Sequence, residues 1–214
     1  MSFFDEHLEE YINSHIDPEP SVLSEIYRHT HLYHLYPRMC STHYQGRLLK
    51  MFAAMINPDK VLELGTYTGY STLAMAEGMK DGAVIDTVEI DDEKEEELSL
   101  RFASHGGGVK INLHIGDALE VVKKLKGPYN LVFIDANKRN YQDYLEAVMP
   151  LVPTGGFIIA DNTLWDMKLI DDRIKKDEQT MAIASFNDAL AVDERFEKII
   201  LPVRDGLTII RKVI

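Results

Sequence analysis

From residue 60 onward the chain alternates between short apolar runs and longer amphipathic or charged stretches. Val61–Leu64, Ala83–Ile90, Ile111–Ile115, Asn130–Ile134 and Phe157–Ala160 read as buried strands. Ser71–Met79, the stretch opened by the mostly acidic residues 91–97, Leu119–Leu125 and Tyr141–Val148 read as the helices between them. Acid at 91–97 sits where the positive end of a helix dipole favours it. This alternation predicts right-handed βαβ units in a mostly parallel sheet. Phe196–Leu201 and Thr208–Lys212 read as two final strands, joined only by Pro202-Val203-Arg204-Asp205-Gly206. So short a link predicts one antiparallel strand near the C-terminus. Upstream, residues 3–35 read as helix interrupted at Pro18 and Pro20, and residues 45–56 carry Leu48, Leu49, Phe52, Ala53 and Met55 at helical spacing. Residues 168–192 read as mostly helical and charged.

A chain of 214 residues is long enough for one buried core, and no repeat or linker divides it, so a single domain over 1–214 is expected. Cys40 stands alone and cannot form an internal disulfide, which favours a reducing compartment. Residues 1–7 lack the basic and apolar pattern of a signal peptide, and no apolar run reaches spanning length. The expectation is a cytoplasmic protein with no membrane partner. The 23 basic and 35 acidic residues give a formal charge of −12, which works against general association with phosphate backbones. A local patch from Lys123, Lys124, Lys126, Lys138 and Arg139 stays open beside the plainer reading of a solvated face.

Chemistry concentrates where the strands end. Val61-Leu62-Glu63-Leu64-Gly65-Thr66-Tyr67-Thr68-Gly69-Tyr70-Ser71 carries a strand through a glycine turn into a helix. Ligands of open α/β sheets sit at such carboxyl ends. Gly65 and Gly69 lie four apart with Tyr67 between them, which is not the three-glycine dinucleotide fingerprint. A cofactor with a nucleoside and no phosphate fits better, and S-adenosylmethionine meets that description. Glu89 lies where an acid can accept both hydroxyls of a ribose; the alternative is a cap or surface acid. Asp117 is read either as a partner of an adenine amine or as a turn aspartate. Ser71 either meets a methionyl carboxylate or caps its helix.

Asp135, Asp161 and Asn162 follow strands four and five and form a hard, oxygen-rich set suited to Mg²⁺ or Ca²⁺. Lys138, one turn after Asp135, is the candidate general base, with a surface lysine as the alternative. The His29, His31 and His34 group sits on an aromatic-rich segment and is read as packing or surface before ligation.

These residues carry a resemblance to the cation-dependent O-methyltransferases, the group of the catechol and caffeoyl-coenzyme A enzymes and their small bacterial relatives. V-L-E-L-G-T-Y-T-G-Y-S at 61–71, T-V-E-I-D at 87–91, H-I-G-D-A at 114–118, L-V-F-I-D-A-N-K at 131–138 and I-I-A-D-N-T-L-W at 158–165 match in order. S-F-N-D-A-L-A-V-D-E-R-F at 185–196 and L-P-V-R-D-G-L-T at 201–208 look most like the caffeoyl-coenzyme A and bacterial branches. The resemblance implies a Rossmann-like class I methyltransferase fold: a mostly parallel seven-stranded sheet, helices on both faces, one antiparallel strand. Residues 1–56 would form helices covering the cofactor and substrate site.

The resemblance also implies site roles. Asp135, Asp161 and Asn162 would hold the divalent cation, Mg²⁺ first with Ca²⁺ or Mn²⁺ as alternatives, and Lys138 would take the proton. For the cofactor it implies Glu63, Gly65, Tyr67, Tyr70 and Ser71 at the methionine end, Glu89 at the ribose, Asp117 and Ala118 near adenine, with Met39 and Cys40 in the covering segment and Asp135 adjoining. Trp165 and Asn187 would flank the acceptor, their alternatives being a packed indole and a helix-surface amide. Asn137 stands where the catechol enzyme has a tryptophan, and residues 1–38 match no pattern of the plant enzymes. The expected acceptor is a catechol-like or hydroxycinnamoyl phenol. The rival is 5-hydroxyuridine in transfer RNA, and the expected assembly is a homodimer. An NAD-dependent oxidoreductase would need the missing glycine, and a non-catalytic binding protein would have little use for this set of strand-end residues.

Overall fold

The computed structural model of the chain describes residues 6–171 and 177–214. Its strands are β1 (Lys60–Leu64), β2 (Val84–Glu89), β3 (Lys110–Ile115), β4 (Leu131–Ile134), β5 (Phe157–Asp161), β6 (Phe196–Leu201) and β7 (Leu207–Lys212). They form one sheet in the order β3-β2-β1-β4-β5-β7-β6. The first five pair in parallel, and β7 runs antiparallel to both β5 and β6. β6 therefore points the same way as β5, leaving β7 as the one reversed strand. The turn between them closes on itself through Gly206 N–H donating to the Val203 carbonyl at 2.9 Å.

Strands buried on both faces need a layer on each side. Leu62, Leu64, Val132, Ile134 and Ile158 meet α6 (Ala118–Val122), α7 (Tyr141–Val148) and α8 (Glu178–Ala191) through Val121, Leu145, Val148 and Phe186. Val61, Ile85, Leu131, Phe133 and Ile159 belong to a second cluster with Leu49 and Ala53 of α3 (His43–Ile56) and Met75 of α4 (Tyr70–Gly78). α4 is buried from Tyr70 to Ala76, as expected of a helix apolar on nearly every side. Its outer surface takes Leu23 and Ile26 of α2 (Ser21–Tyr33) and Cys40. That third cluster ties the N-terminal segment, which begins with α1 (Glu6–His15), to the sheet. α5 (Glu95–Ala103) links β2 to β3.

Two helices depart from the sequence reading. In the 168–192 stretch, α8 begins only at Glu178, because the Asp177 carboxylate accepts from Thr180 N–H at 2.8 Å and caps it there. Residues 172–176 of that stretch, and 3–5 of the first expected helix, lie outside the described residues. α6 stops at Val122; Lys124 and Leu125 continue as turn, their N–H groups reaching Val121 and Val122 carbonyls at 2.9 and 3.1 Å. Among the described residues no helix is long and apolar enough to cross a membrane.

Strand order reverses between β1 and β4, and in such sheets the reversal opens a crevice at the carboxyl ends. There the two loops nearly touch. Asp135 N–H donates to the Leu64 carbonyl at 2.8 Å, and Gly65 has φ +100°, with no room for a side chain against the Asp135 carbonyl. Gly65→Ala should therefore cost about 2 kcal/mol or more, from left-handed strain plus the collision. Urea denaturation checks this; an unchanged midpoint would mean that the loops are free to part.

Candidate active site

A cavity of about 830 Å³ opens at this crevice, within the range of small-molecule sites. Strand ends supply much of its wall: Gly65 and Tyr67 after β1, Glu89 of β2, Gly116 and Ala118 after β3, Asp135 and Lys138 after β4, Asp161 and Asn162 at the end of β5. Tyr36, Arg38 and Met39, between α2 and α3, line it from the N-terminal side.

At the β1–β2 end, the Glu89 carboxylate accepts from Tyr67 N–H at 2.7 Å and Asp91 N–H at 2.9 Å. An ionised carboxylate has about four acceptor positions, so room is left for two ligand hydroxyls. Tyr67 holds φ 51°, and its hydroxyl donates to the Tyr36 carbonyl at 3.0 Å, linking the glycine loop to the covering segment. Ala118 faces the cavity, whereas Asp117 is exposed and caps α6, accepting from Leu119 and Glu120 N–H at 2.9 and 3.2 Å.

Glu63, Ser71 and Tyr70 lie deeper. Alternation along β1 turns Glu63 toward α4, opposite Thr87 in register, and it is wholly buried. It accepts from Ser71 at 2.6 Å, from Thr87 at 2.6 Å, and from Thr72. Ser71 does not cap α4; Gly69, at φ +77°, occupies that position. Ser71 and Tyr70 border a hollow of about 10 Å³ beside Met39, Gly65 and Asp135, and the Tyr70 hydroxyl donates to Glu19. Burial pushes the Glu63 carboxyl up to about 7, against the three hydroxyl donors.

The acidic end lies across β4 and β5. Burial, with the charge of Asp135 adding to it, raises the Asp161 carboxyl above the usual aspartate range. Lys138 Nζ donates to Asp135 Oδ1 at 2.6 Å and to the Tyr141 hydroxyl at 2.7 Å, and the residue is only 8% exposed. Tyr141 in turn donates to the Asp161 carbonyl at 2.8 Å. Burial, then the charges of Asp135 and Asp161, hold its phenol protonated. Asn162 takes φ 57°, a conformation asparagine tolerates better than most residues. Two carboxylates and an amide lining one cavity, Asp161 buried and Asp135 and Asn162 half-buried, fit a hard divalent cation.

Trp165 lines the cavity, and its buried Nε1 has no hydrogen-bond partner among the described residues. Asn187 does not line the cavity; its amide donates to the Thr163 carbonyl at 2.8 Å, and Oδ1 is likewise unpartnered among the described residues. Of the seven non-glycine residues at positive φ among those described, Tyr67, Asn162, Trp165 and Arg204 line this one cavity. Such strain collects at functional sites.

The sequence reading missed Tyr141, Gln45 and Arg204. Tyr141 had a signal, since it follows Lys138 by three residues and so shares its face. Gln45 had none: it reaches Asp161 from 116 residues away. Of the histidine group, His31 bonds its own helix at the Tyr27 carbonyl, while His29 and His34 converge on Glu97 with ligand atoms within 4.8 Å. Arg101 already holds Glu97 at 2.7 Å. Lys123 pairs with Glu120, so that part of the basic group is locally neutralised.

Fold and cavity together define a Rossmann-like methyltransferase. The profile of the O-methyltransferase family matches residues 12–213, and the chain belongs to that family as an S-adenosylmethionine-dependent enzyme. It is 34% identical over 207 residues to caffeoyl-CoA O-methyltransferase 5 of Nicotiana tabacum, covering 91% of this chain and 85% of that one. With caffeoyl-CoA O-methyltransferase 2 of Zea mays it shares 35% over 211 residues, 91% and 78% of the two chains. Among solved structures, the S-adenosylhomocysteine-bound methyltransferase of Podospora anserina superposes with TM-score 0.89 at 28% identity, over 97% of this chain and 94% of that one.

Glu63 generates a pH prediction. Its carboxyl ionises near 4.5 in the unfolded chain and about 7 when folded, so the unfolded state loses its proton first. Stability therefore falls as pH rises through this window, and the cost is fully present above it. Glu63→Gln should remove a share of that slope on the order of a few kcal/mol between pH 4.5 and 7. Parallel denaturation profiles for the two proteins would show that Glu63 ionises as readily inside as out.

Proposed function

We propose that this enzyme transfers the methyl group of S-adenosylmethionine to a hydroxyl of a small catechol-like or hydroxycinnamoyl phenol, with a divalent cation held by Asp135, Asp161 and Asn162. The reading rests above all on one observation: Lys138, Asp135 and Asp161 meet in the same cavity as the Gly65 loop and Glu89. When bound, the cation, Mg²⁺ before Ca²⁺ or Mn²⁺, would offset the two carboxylates and acidify the acceptor hydroxyl.

When bound, S-adenosylmethionine would supply the methyl group to the acceptor oxygen, its carbon–sulfur bond breaking so that the sulfonium leaves as a neutral thioether. To take the hydroxyl proton Lys138 Nζ would start as the neutral amine; the ammonium so formed is the state that donates to Asp135 and Tyr141 in the geometry described. The rest of the protein's contribution is alignment. The apolar surfaces of Trp165, Met39 and Ala136 support an aromatic acceptor, as do relatives named for caffeoyl-CoA. Arg38, Arg139 and Arg204 on the same wall favour a second reading, a hydroxyuridine of transfer RNA.

Radiolabelled S-adenosylmethionine, offered with and without Mg²⁺ to vicinal diphenols, caffeoyl-CoA and 5-hydroxyuridine transfer RNA, separates the readings. Metal-dependent label in a phenol is expected; label in RNA alone would replace the proposal with the second reading. Asp135→Ala should reduce transfer to background, and retained Mg²⁺-dependent turnover in that variant would sink the cation assignment. Lys138→Ala should lower kcat about 100- to 10,000-fold at unchanged cofactor affinity; a loss confined to cofactor binding would deny it the base role.

A further inference from the structure

We infer that Gln45 is a positioning residue for the Asp161 carboxylate, and that Arg204 fixes which way its amide points; the inference rests on Asp161 being a cation ligand. Gln45 lies in the first turn of α3 and is 1% exposed. Its Nε2 donates to Asp161 Oδ2 at 2.6 Å, while its Oε1 accepts from Arg204 Nη1. The other Asp161 oxygen, Oδ1, accepts from Asn162 N–H at 2.8 Å. Both oxygens are thus pinned from the protein side, so the carboxylate cannot rotate, and each keeps acceptor capacity for a cation.

An amide has the same shape either way round, and flipped it would set oxygen against carboxylate. Arginine decides the matter because it has donors and no acceptor. Arg204 can only be met by Oε1, so Nε2 is left facing Asp161. Arg204 is itself held by backbone. It sits at φ 49° in the turn between β6 and β7, whose Asp205 carbonyl accepts from Leu164 and Trp165 N–H at 2.7 and 3.1 Å. Gly206 offers its carbonyl to Thr163 N–H at 3.0 Å. The same peptide segment that carries Asn162 and Trp165 therefore anchors the arginine that orients the glutamine.

Two properties make glutamine suited to this position. It donates, which a carboxylate ligand requires of its supporting partner, and it is neutral, so it does not add a third negative charge beside Asp135 and Asp161. A glutamate here keeps the shape and the bond to Arg204 but turns an acceptor onto Asp161. A methionine keeps the approximate volume and loses both bonds. Partners that orient metal ligands typically contribute 10- to 100-fold in metal affinity.

The test is calorimetric titration of Mg²⁺ into protein saturated with S-adenosylhomocysteine, so that affinity is read without turnover. Gln45→Glu and Gln45→Met should each weaken Mg²⁺ binding about 10- to 100-fold, and Arg204→Met should weaken it less, in the same direction. If Gln45→Glu fails to fold, Gln45→Met decides. Asp161→Asn, run alongside, keeps the two layers of the argument apart. Mg²⁺ affinity within about twofold of wild type in the Gln45 variants, with binding lost in Asp161→Asn, would overturn the positioning role alone. Unchanged binding in Asp161→Asn would overturn the cation reading and this inference with it.

Discussion

Two aspartates at neighbouring strand ends, Asp161 buried and half-buried Asp135 adding its charge to the cost of ionising it, are the constraint around which this molecule is arranged. Nothing in parallel-sheet packing asks for them; a sheet edge would be more stable with either one neutral or absent. Around them the chain has placed compensation from every direction. Lys138 and Tyr141 approach from the segment after β4, Gln45 from α3 and Arg204 from the final turn. The pieces come from distant parts of the sequence, so the site exists only when the whole sheet is assembled. Each unit of pKa displacement corresponds to about 1.4 kcal/mol of folding free energy held at the site. A bound cation would release that cost, which couples ligand binding to stability.

Backbone strain follows the same map. At Gly65 the loops after β1 and β4 come within a side chain's thickness, and glycine is there because nothing larger fits. Tyr67, Asn162, Trp165 and Arg204 adopt left-handed φ values around the cavity rim without being glycine. Each such residue stores on the order of 1–3 kcal/mol when its side chain is unsuited to the conformation. The core clusters on the two sheet faces are extensive enough to hold these residues in place. Rigid strands thus aim the polar ends, and strained turns adjust them.

How far this was legible in the sequence depends on the distance over which each feature is encoded. The sheet was legible almost residue by residue, because Phe157–Ala160 is a continuous apolar run between a glycine and an acid, and Val61–Leu64 is interrupted only by Glu63 before its glycine. The reversed strand was legible from the shortness of 202–206. The start of α8 was not, since it is set by the Asp177 cap and not by periodicity. In the site, residues next to strand ends were found because topology fixes where strand ends go. Tyr141 was reachable by spacing from Lys138. Gln45 was not, for its meaning arises only when α3 packs over the end of β5. Glu63 and Ser71 show the opposite limit: the family resemblance implies a cofactor role for both, while their bond to each other, with Thr72 and Thr87 also on Glu63, appears only in the folded chain.

Charge shows why composition and site must be argued separately. A formal −12 describes the far field, and salt screens that field over about 8 Å at physiological ionic strength. A ligand inside the cavity meets Arg38, Lys138, Arg139 and Arg204 at shorter range than this. Arg139 is partly offset by Glu178 and Lys138 by Asp135, while Arg204 spends one donor on Gln45. What remains is a modestly positive wall in a cavity that the Trp165 indole also lines. Under the proposed function, that wall would suit an acceptor with a flat aromatic end and a negatively charged continuation. The net charge slows the approach of any polyanion without deciding its fit, so the choice between thioester and nucleic acid belongs to the shape beyond the rim.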